Sequence, residues 1–175
     1  PLPQPFRLLP GNHDDRAALR AAFPGHEYLG TTGPMCSVWD GGALRVITLD
    51  SLVPGYPHGE LGAAQRDWLA DTLAQAPQCP TIVALHHPPF MTGIAHMDAA
   101  PLKDAAELAP IIARHPQVER VICGHVHRPV FTRFAGTIAS IAPSIAHQLT
   151  FDHGGHADPS FMLEPGLSLI HISEP

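Results

Sequence analysis

Thr81-Ile82-Val83-Ala84-Leu85-His86-His87-Pro88-Pro89 joins an apolar run to a pair of histidines and a pair of prolines. Its first five residues form an unbroken apolar, β-branched run, the pattern of a central strand buried on both faces of a sheet. Two histidines and two prolines then end the run. Proline has no N–H for a ladder, so the chain must leave the sheet here, and it leaves carrying two imidazoles. Residues 118–123 repeat the arrangement, because Val118-Glu119-Arg120-Val121-Ile122-Cys123 opens directly into Gly124-His125-Val126-His127.

Around these two strands the periodicity changes. Residues 61–76 place Leu61, Gln65, Trp68, Leu69 and Leu73 on helical spacing until Pro77 ends the segment, and a second helix is expected over 103–114. Upstream, residues 35–39 and 44–49 flank Asp40-Gly41-Gly42, which reads as a hairpin. Asp14 or Asp15 can cap a helix running to about residue 23, where Pro24-Gly25 stops it. Before it, Phe6-Arg7-Leu8-Leu9 reads as a strand end entering the Pro10-Gly11 turn, which carries Asn12-His13-Asp14. Two short strands are expected over 130–134 and 137–141, followed by a loop rich in His, Gly and Asp over 147–159. No repeat interrupts this alternation of strands and helices, so the expected class is a layered α/β domain with a mixed sheet.

Composition narrows the function classes. The chain has 175 residues, 45% hydrophobic and 15% charged, enough apolar surface for one globular core. Net charge is −6, and its ten Lys and Arg are scattered, so there is no basic stripe to neutralise a nucleic-acid backbone; a polymeric nucleic-acid partner is disfavoured. Cys36, Cys79 and Cys123 are odd in number and widely spaced, which suits reduced thiols and a cytoplasmic setting better than a disulfide frame or a thiolate metal site. No apolar run reaches the roughly 18 residues of a membrane span, so no membrane partner is expected. Thirteen histidines outnumber Lys and Arg together, and neutral imidazole is the commonest protein metal ligand.

Position decides which of them matter. Asn12-His13, His86-His87 and the pair His125 and His127 each lie where an apolar run breaks into a loop. Sites in open α/β sheets form outside the carboxyl ends of strands, so these segments can converge on one point. Gly124 permits close approach of backbone and ion, and imidazoles two residues apart can address two different ions. Ligands of nitrogen and oxygen without sulfur suit Mn, Fe, Zn or Co.

The order Gly11-Asn12-His13-Asp14, His86-His87-Pro88-Pro89 and Gly124-His125-Val126-His127 resembles the later blocks of the calcineurin-like metallophosphoesterases over residues 1–165. Met97-Asp98, Pro143 and His147-Gln148 resemble the bacterial branch that hydrolyses cyclic nucleotides and glycerophosphodiesters. The resemblance implies a layered α/β/β/α sandwich with mixed sheets and a centre of two divalent ions. It implies that Asn12, His86 and His125 ligate one ion, that His127 ligates the other, and that His13 contacts the phosphate and protonates the leaving alkoxide. His87 is expected beside the ligands or facing substrate, with Asp98, His147 and His153 shaping the pocket. The implied reaction is attack of a metal-bridging hydroxide on a small phosphodiester.

The family's Asp-x-His and Gly-Asp blocks, which precede Gly-Asn-His, are not in this sequence, and Asp50 falls at no family ligand position. Residues 166–175 resemble a translated sequencing adapter. The expectation is therefore a partial domain over 1–165 with a non-native tail, inactive alone and binding one ion weakly. Competing readings are a phosphomonoesterase, a nucleotide pyrophosphatase, or a scaffold that keeps the fold without catalysis. Oligomeric state, including a homo-oligomer, is left open by the sequence.

Overall fold

A computed structural model describes residues 5–145 and 147–149, together with the backbone of Phe161–Met162. The larger sheet is built from β1 (Ser37–Asp40), β2 (Arg45–Thr48), β3 (Thr81–Ala84), β4 (Val118–Cys123), β5 (Val130–Phe134) and β6 (Thr137–Ile141), in the spatial order β1-β2-β3-β4-β6-β5. Strands β2, β3, β4 and β6 run parallel, and antiparallel β1 and β5 close the two edges. A second pairing joins β7 (Gln148–Leu149), inside the segment expected to be loop, to β8 (Phe161–Met162), just beyond it. The architecture is the expected mixed α/β class. His153 and the tail at 166–175 lie outside the described residues.

One face of the sheet is the core. Ile47, Val83, Val121 and Ala139 occupy one row across four neighbouring strands, and all four are fully buried. Leu49, Leu85, Cys123 and Ile141 form the next row along the same face, as the period of two requires. Helix α2 (Gly62–Ala74) packs Leu69 and Leu73, and α4 (Ala105–Ala113) packs Leu108, Ile111 and Ile112, into this cluster. Each such side chain contributes about 1.5–3 kcal/mol when enclosed.

The sequence reading of β3 as buried on both faces holds at Ala84 and needs correction only at Ile82. Ile82 and Ile122, which point away from the helices, are only half-buried, and Ile138 on that side is 44% exposed. Both helices pack into the cluster on the Val83 face, so apolar composition overstated enclosure of these isoleucines on the other, where Ala84 and Ser140 are nonetheless buried. The strand expected at 6–9 also joins no ladder among the described residues. Leu8 N–H donates instead to Tyr28 Oη at 2.9 Å, the Arg7 guanidinium lies 4.3 Å from the Tyr28 ring, and Phe6 packs on Phe23 and His26. Helix α1 (Arg16–Ala22) begins as expected, with Asp15 accepting from Ala18 N–H. The one-turn helix α3 (Ala95–Asp98) is too short to leave a periodic signal.

Candidate metal centre

Parallel pairing puts the carboxyl ends of β2, β3, β4 and β6 on one edge of the sheet. From that edge the chain continues into Asp50-Ser51, His86-His87, His125-Val126-His127 and the loop to His147. The Asn12 turn is added from outside the sheet: Asp14 N–H donates to the Gly11 carbonyl at 3.1 Å, and Gly11 N–H donates to Asp14 Oδ2 at 2.7 Å.

Three ligand atoms meet here. Asn12 Oδ1 lies 2.9 Å from His86 Nε2 and 3.3 Å from His125 Nδ1, and the two ring nitrogens are 3.2 Å apart. Atoms that share one ion at bonds near 2.0–2.1 Å are separated by about 3.0–3.4 Å, so the triangle has the dimensions of one coordination face. Glycines make room for it. A Cβ on Gly11 would lie 2.7 Å from His86 Cε1, and one on Gly124 would lie 3.3 Å from His86 Nδ1.

His125 and His127 both adopt the left-handed region, at φ 70° and 56°, which is uncommon outside Gly although Asn, Asp and His enter it more readily than most. Strain of this kind concentrates at functional sites. Among the described residues His125 Nε2 and His127 Nδ1 are buried without a well-formed hydrogen bond, the Ala100 and His147 backbones engaging the rings only in poorer geometry, an arrangement that is costly unless something else engages them. His127 packs against His147, with ring centroids 4.5 Å apart.

The ring nitrogens of His86, His87 and His125 also lie within 4.8 Å of one another, so the cluster can hold a metal ion, but His87 is otherwise occupied. Its Nε2 is 3.1 Å from the Pro57 carbonyl, which can only accept, so Nε2 carries the proton; Nδ1 then accepts from Ser51 Oγ at 2.8 Å. The ring is fully enclosed and abuts Gly59, where a Cβ would lie 2.3 Å from His87 Nδ1. That placement does not suit a substrate-facing histidine, and Asn12 Oδ1, in contact with both other rings, could stand in its place as a third donor. Asp98 likewise spends both oxygens on its own loop, accepting from Thr92 N–H, Thr92 Oγ1 and Gly93 N–H, each at 2.8 Å. It is a loop clasp, and the substrate-shaping role expected for it has no geometric support. His13 stays exposed beside Asn12.

Burial is the main cause of the low basicity of the cluster. It pushes His86 down to about 3, helped by His87, His125, His127 and His13. His87 falls to about 4 through burial and His125, and His125 falls to about 4 through burial, with the Ala100 backbone opposing. His127 is lowered by burial and by His147. The rings are therefore held neutral, the protonation state in which imidazole ligates metal.

Ser51, Pro57 and Gly59 carry no motif and were missed in the sequence. The available signal was Asp50-Ser51, two polar residues closing the apolar run 44–49. Both are fully buried.

An α/β sheet whose parallel edge presents clustered neutral nitrogen and oxygen donors could hold a metal ion, and the comparisons assign the family. The chain belongs to the calcineurin-like phosphoesterases, whose family model matches residues 1–129. It is 33% identical over 168 residues to a probable glycerophosphodiester phosphodiesterase of Arcobacter nitrofigilis, covering 95% of this chain and 62% of the relative. It is 36% identical over 144 residues to the 3',5'-cyclic adenosine monophosphate phosphodiesterase of Escherichia coli K12, covering 82% and 51%. A cAMP/cGMP dual specificity phosphodiesterase of Mycobacterium tuberculosis is 37% identical, covering 93% and 50%. The chain thus spans roughly half to three-fifths of these relatives' lengths. Among solved structures, a dimetal phosphatase from Danio rerio superposes with TM-score 0.57 at 14% identity, covering 76% of this chain and 59% of the other, a likeness of fold. Among the described residues, no helix is long and apolar enough to cross a membrane.

Proposed function

We propose that the protein is a metal-dependent phosphodiesterase acting on a small diester, a 3',5'-cyclic nucleotide or a glycerophosphodiester. The observation that carries this reading is the triangle of Asn12 Oδ1, His86 Nε2 and His125 Nδ1 at 2.9–3.3 Å on the carboxyl edge of the sheet. The names of the relatives support the substrate class.

Asn12, His86 and His125 would hold one divalent ion, and His127 would contribute to a second. When bound, such ions supply Lewis acidity toward the phosphoryl oxygens and lower the pKa of water. The chain's own residues do the rest. The glycines at 11 and 124 let the His86 ring reach the site, while burial keeps His86 and His125 unprotonated. His13, exposed beside Asn12, would donate a proton to the departing alkoxide oxygen, and His147, packed on His127, would border the substrate. The donor set is nitrogen and oxygen throughout, which fits Mn, Fe, Zn or Co, and the free cysteines fit a cytoplasmic setting.

The test is hydrolysis of bis(p-nitrophenyl) phosphate and cyclic AMP by the complete gene product. Chelation should abolish turnover and added Mn restore it. Turnover that survives exhaustive chelation would rule the mechanism out, and preference for a phosphomonoester would favour the phosphatase reading.

A further inference from the structure

Strand β2 supplies no ligand, yet its carboxyl end is the most densely bonded part of the metal edge. Asp50 and Ser51 are both fully buried. The Asp50 carboxylate accepts two bonds from the Arg16 guanidinium, at 2.6 Å from Nε and 2.9 Å from Nη2. It also accepts from Met35 N–H at 2.8 Å and Leu52 N–H at 3.0 Å. Arg16 opens helix α1, directly after the turn that presents Asn12. Ser51 Oγ faces the other way. It accepts from His87 N–H at 3.3 Å and donates to His87 Nδ1 at 2.8 Å, so backbone and ring of His87 are gripped by one hydroxyl. His87 is the chain neighbour of His86, and its ring centroid lies 4.6 Å from that of His125.

The peptide bearing these two side chains is itself fixed. Gln65 of α2 accepts from Asp50 N–H at 3.1 Å and donates to the Asp50 carbonyl at 2.8 Å. One anchored dipeptide therefore holds the turn of Asn12 through an ion pair and the turn of His86 through a hydroxyl. Loops that converge from positions 74 residues apart need such a reference if Asn12 Oδ1 and His86 Nε2 are to stand 2.9 Å apart.

We propose that Asp50 and Ser51 are positioning residues that set the spacing of the metal ligands Asn12, His86 and His125 without touching the ion. The inference rests on the metal-binding reading given above. Outer partners of this kind typically change metal affinity by about 10–100-fold when removed.

The experiment titrates the 175-residue chain with Mn(II) by calorimetry, comparing wild type with Ser51→Ala, Asp50→Asn and Ser37→Ala. Ser37 is the matched control, a buried serine whose hydroxyl lies 2.8 Å from Thr48 Oγ1 and reaches no ligand turn. Ser51→Ala and Asp50→Asn are expected to weaken binding about tenfold or more, and Ser37→Ala by less than about twofold. Nitrogen NMR should find His87 protonated at Nε2 in the wild type and released from that single tautomer in Ser51→Ala. Where Ser51→Ala does not fold, Asp50→Asn carries the comparison. Wild-type affinity in the folded Asp50 and Ser51 variants, or equal weakening in Ser37→Ala, overturns the proposal. A wild type that takes up no ion would instead remove the metal-binding reading. The proposal would then stand if the Asn12 and His86 resonances shift in Ser51→Ala and Asp50→Asn but not in Ser37→Ala, and fall if they do not.

Discussion

Replacing Gly11 by alanine should disable the metal site through a single methyl group. The Cβ would sit 2.7 Å from His86 Cε1, 2.8 Å from Nδ1 and 3.0 Å from Nε2, against an ordinary contact of 3.4 Å or more. Relief by ring movement alone needs a displacement of about 0.7 Å, larger than the ~0.5 Å within which ligands must be held. The ring has little room to retreat, because Gly124 also lies close to it and His87 and His125 flank it with centroids 4.8 and 5.1 Å away. If instead the backbone at Gly11 yields, Asn12 moves with it. Either response opens the triangle, so Gly11→Ala is expected to lower Mn(II) affinity by about 10–100-fold. Overpacking should also destabilise the fold by about 1–3 kcal/mol. Calorimetric titration measures the first effect and urea unfolding the second. Unchanged affinity in a folded Gly11→Ala chain would refute the claim that His86 packs on Gly11 in order to ligate.

The histidines make acid stability a further test. His87 falls from 6.5 when unfolded to about 4 when folded, so between those values the unfolded chain binds a proton that the folded one refuses, and stability drops as pH falls through that window. From pH 7.5 to 5 the enclosed His87 alone should cost about 2 kcal/mol in urea unfolding, and equal stability at both values would contradict its burial. Asp50→Ala leaves the Arg16 guanidinium facing a void and should cost about 3 kcal/mol, read from the same unfolding curves. Ala135 sits at φ 50° before Gly136 at φ 91° in the β5–β6 turn, so Ala135→Asn should stabilise the chain by about 1 kcal/mol while Mn(II) affinity stays unchanged.

The parts of the fold that were legible in the sequence were those set by local pattern. The boundaries of β5 and β6, the Asp15 cap, the hairpin around Asp40-Gly41-Gly42 and helices α2 and α4 all follow from periodicity and stop signals. The ends of β3 and β4 were equally clear, because prolines and a glycine break two apolar runs. Ladder membership was less legible. Phe6-Arg7-Leu8-Leu9 has strand composition, but pairing needs a neighbour, and Tyr28, Phe23 and His26 engage it instead. Enclosure of Ile82 could not be read either, since it depends on what covers the second face.

At the site, residue types that ligate metals were visible, whereas their supports were not. Nothing in the spacing of Ser51, Pro57 and His87 announces that a hydroxyl and a carbonyl 36 and 30 residues away fix one ring. For the same reason position left His87 open between a place beside the ligands and one facing substrate, and set Asp98 near the pocket, without announcing the hydrogen bonds to the protein that occupy both. Tertiary contact, which no local pattern encodes, separates a ligand from its support.

The most direct test of the account is a Co(II) titration of the nitrogen-labelled chain, followed by histidine NMR. One saturable ion is expected, with paramagnetic shifts largest at His86 Nε2 and His125 Nδ1, the His87 tautomer preserved and all of these shifts lost in Asn12→Ala. Shifts centred on His87 or on histidines outside this cluster, or none at all, would contradict the convergence of Asn12, His86 and His125 on one metal.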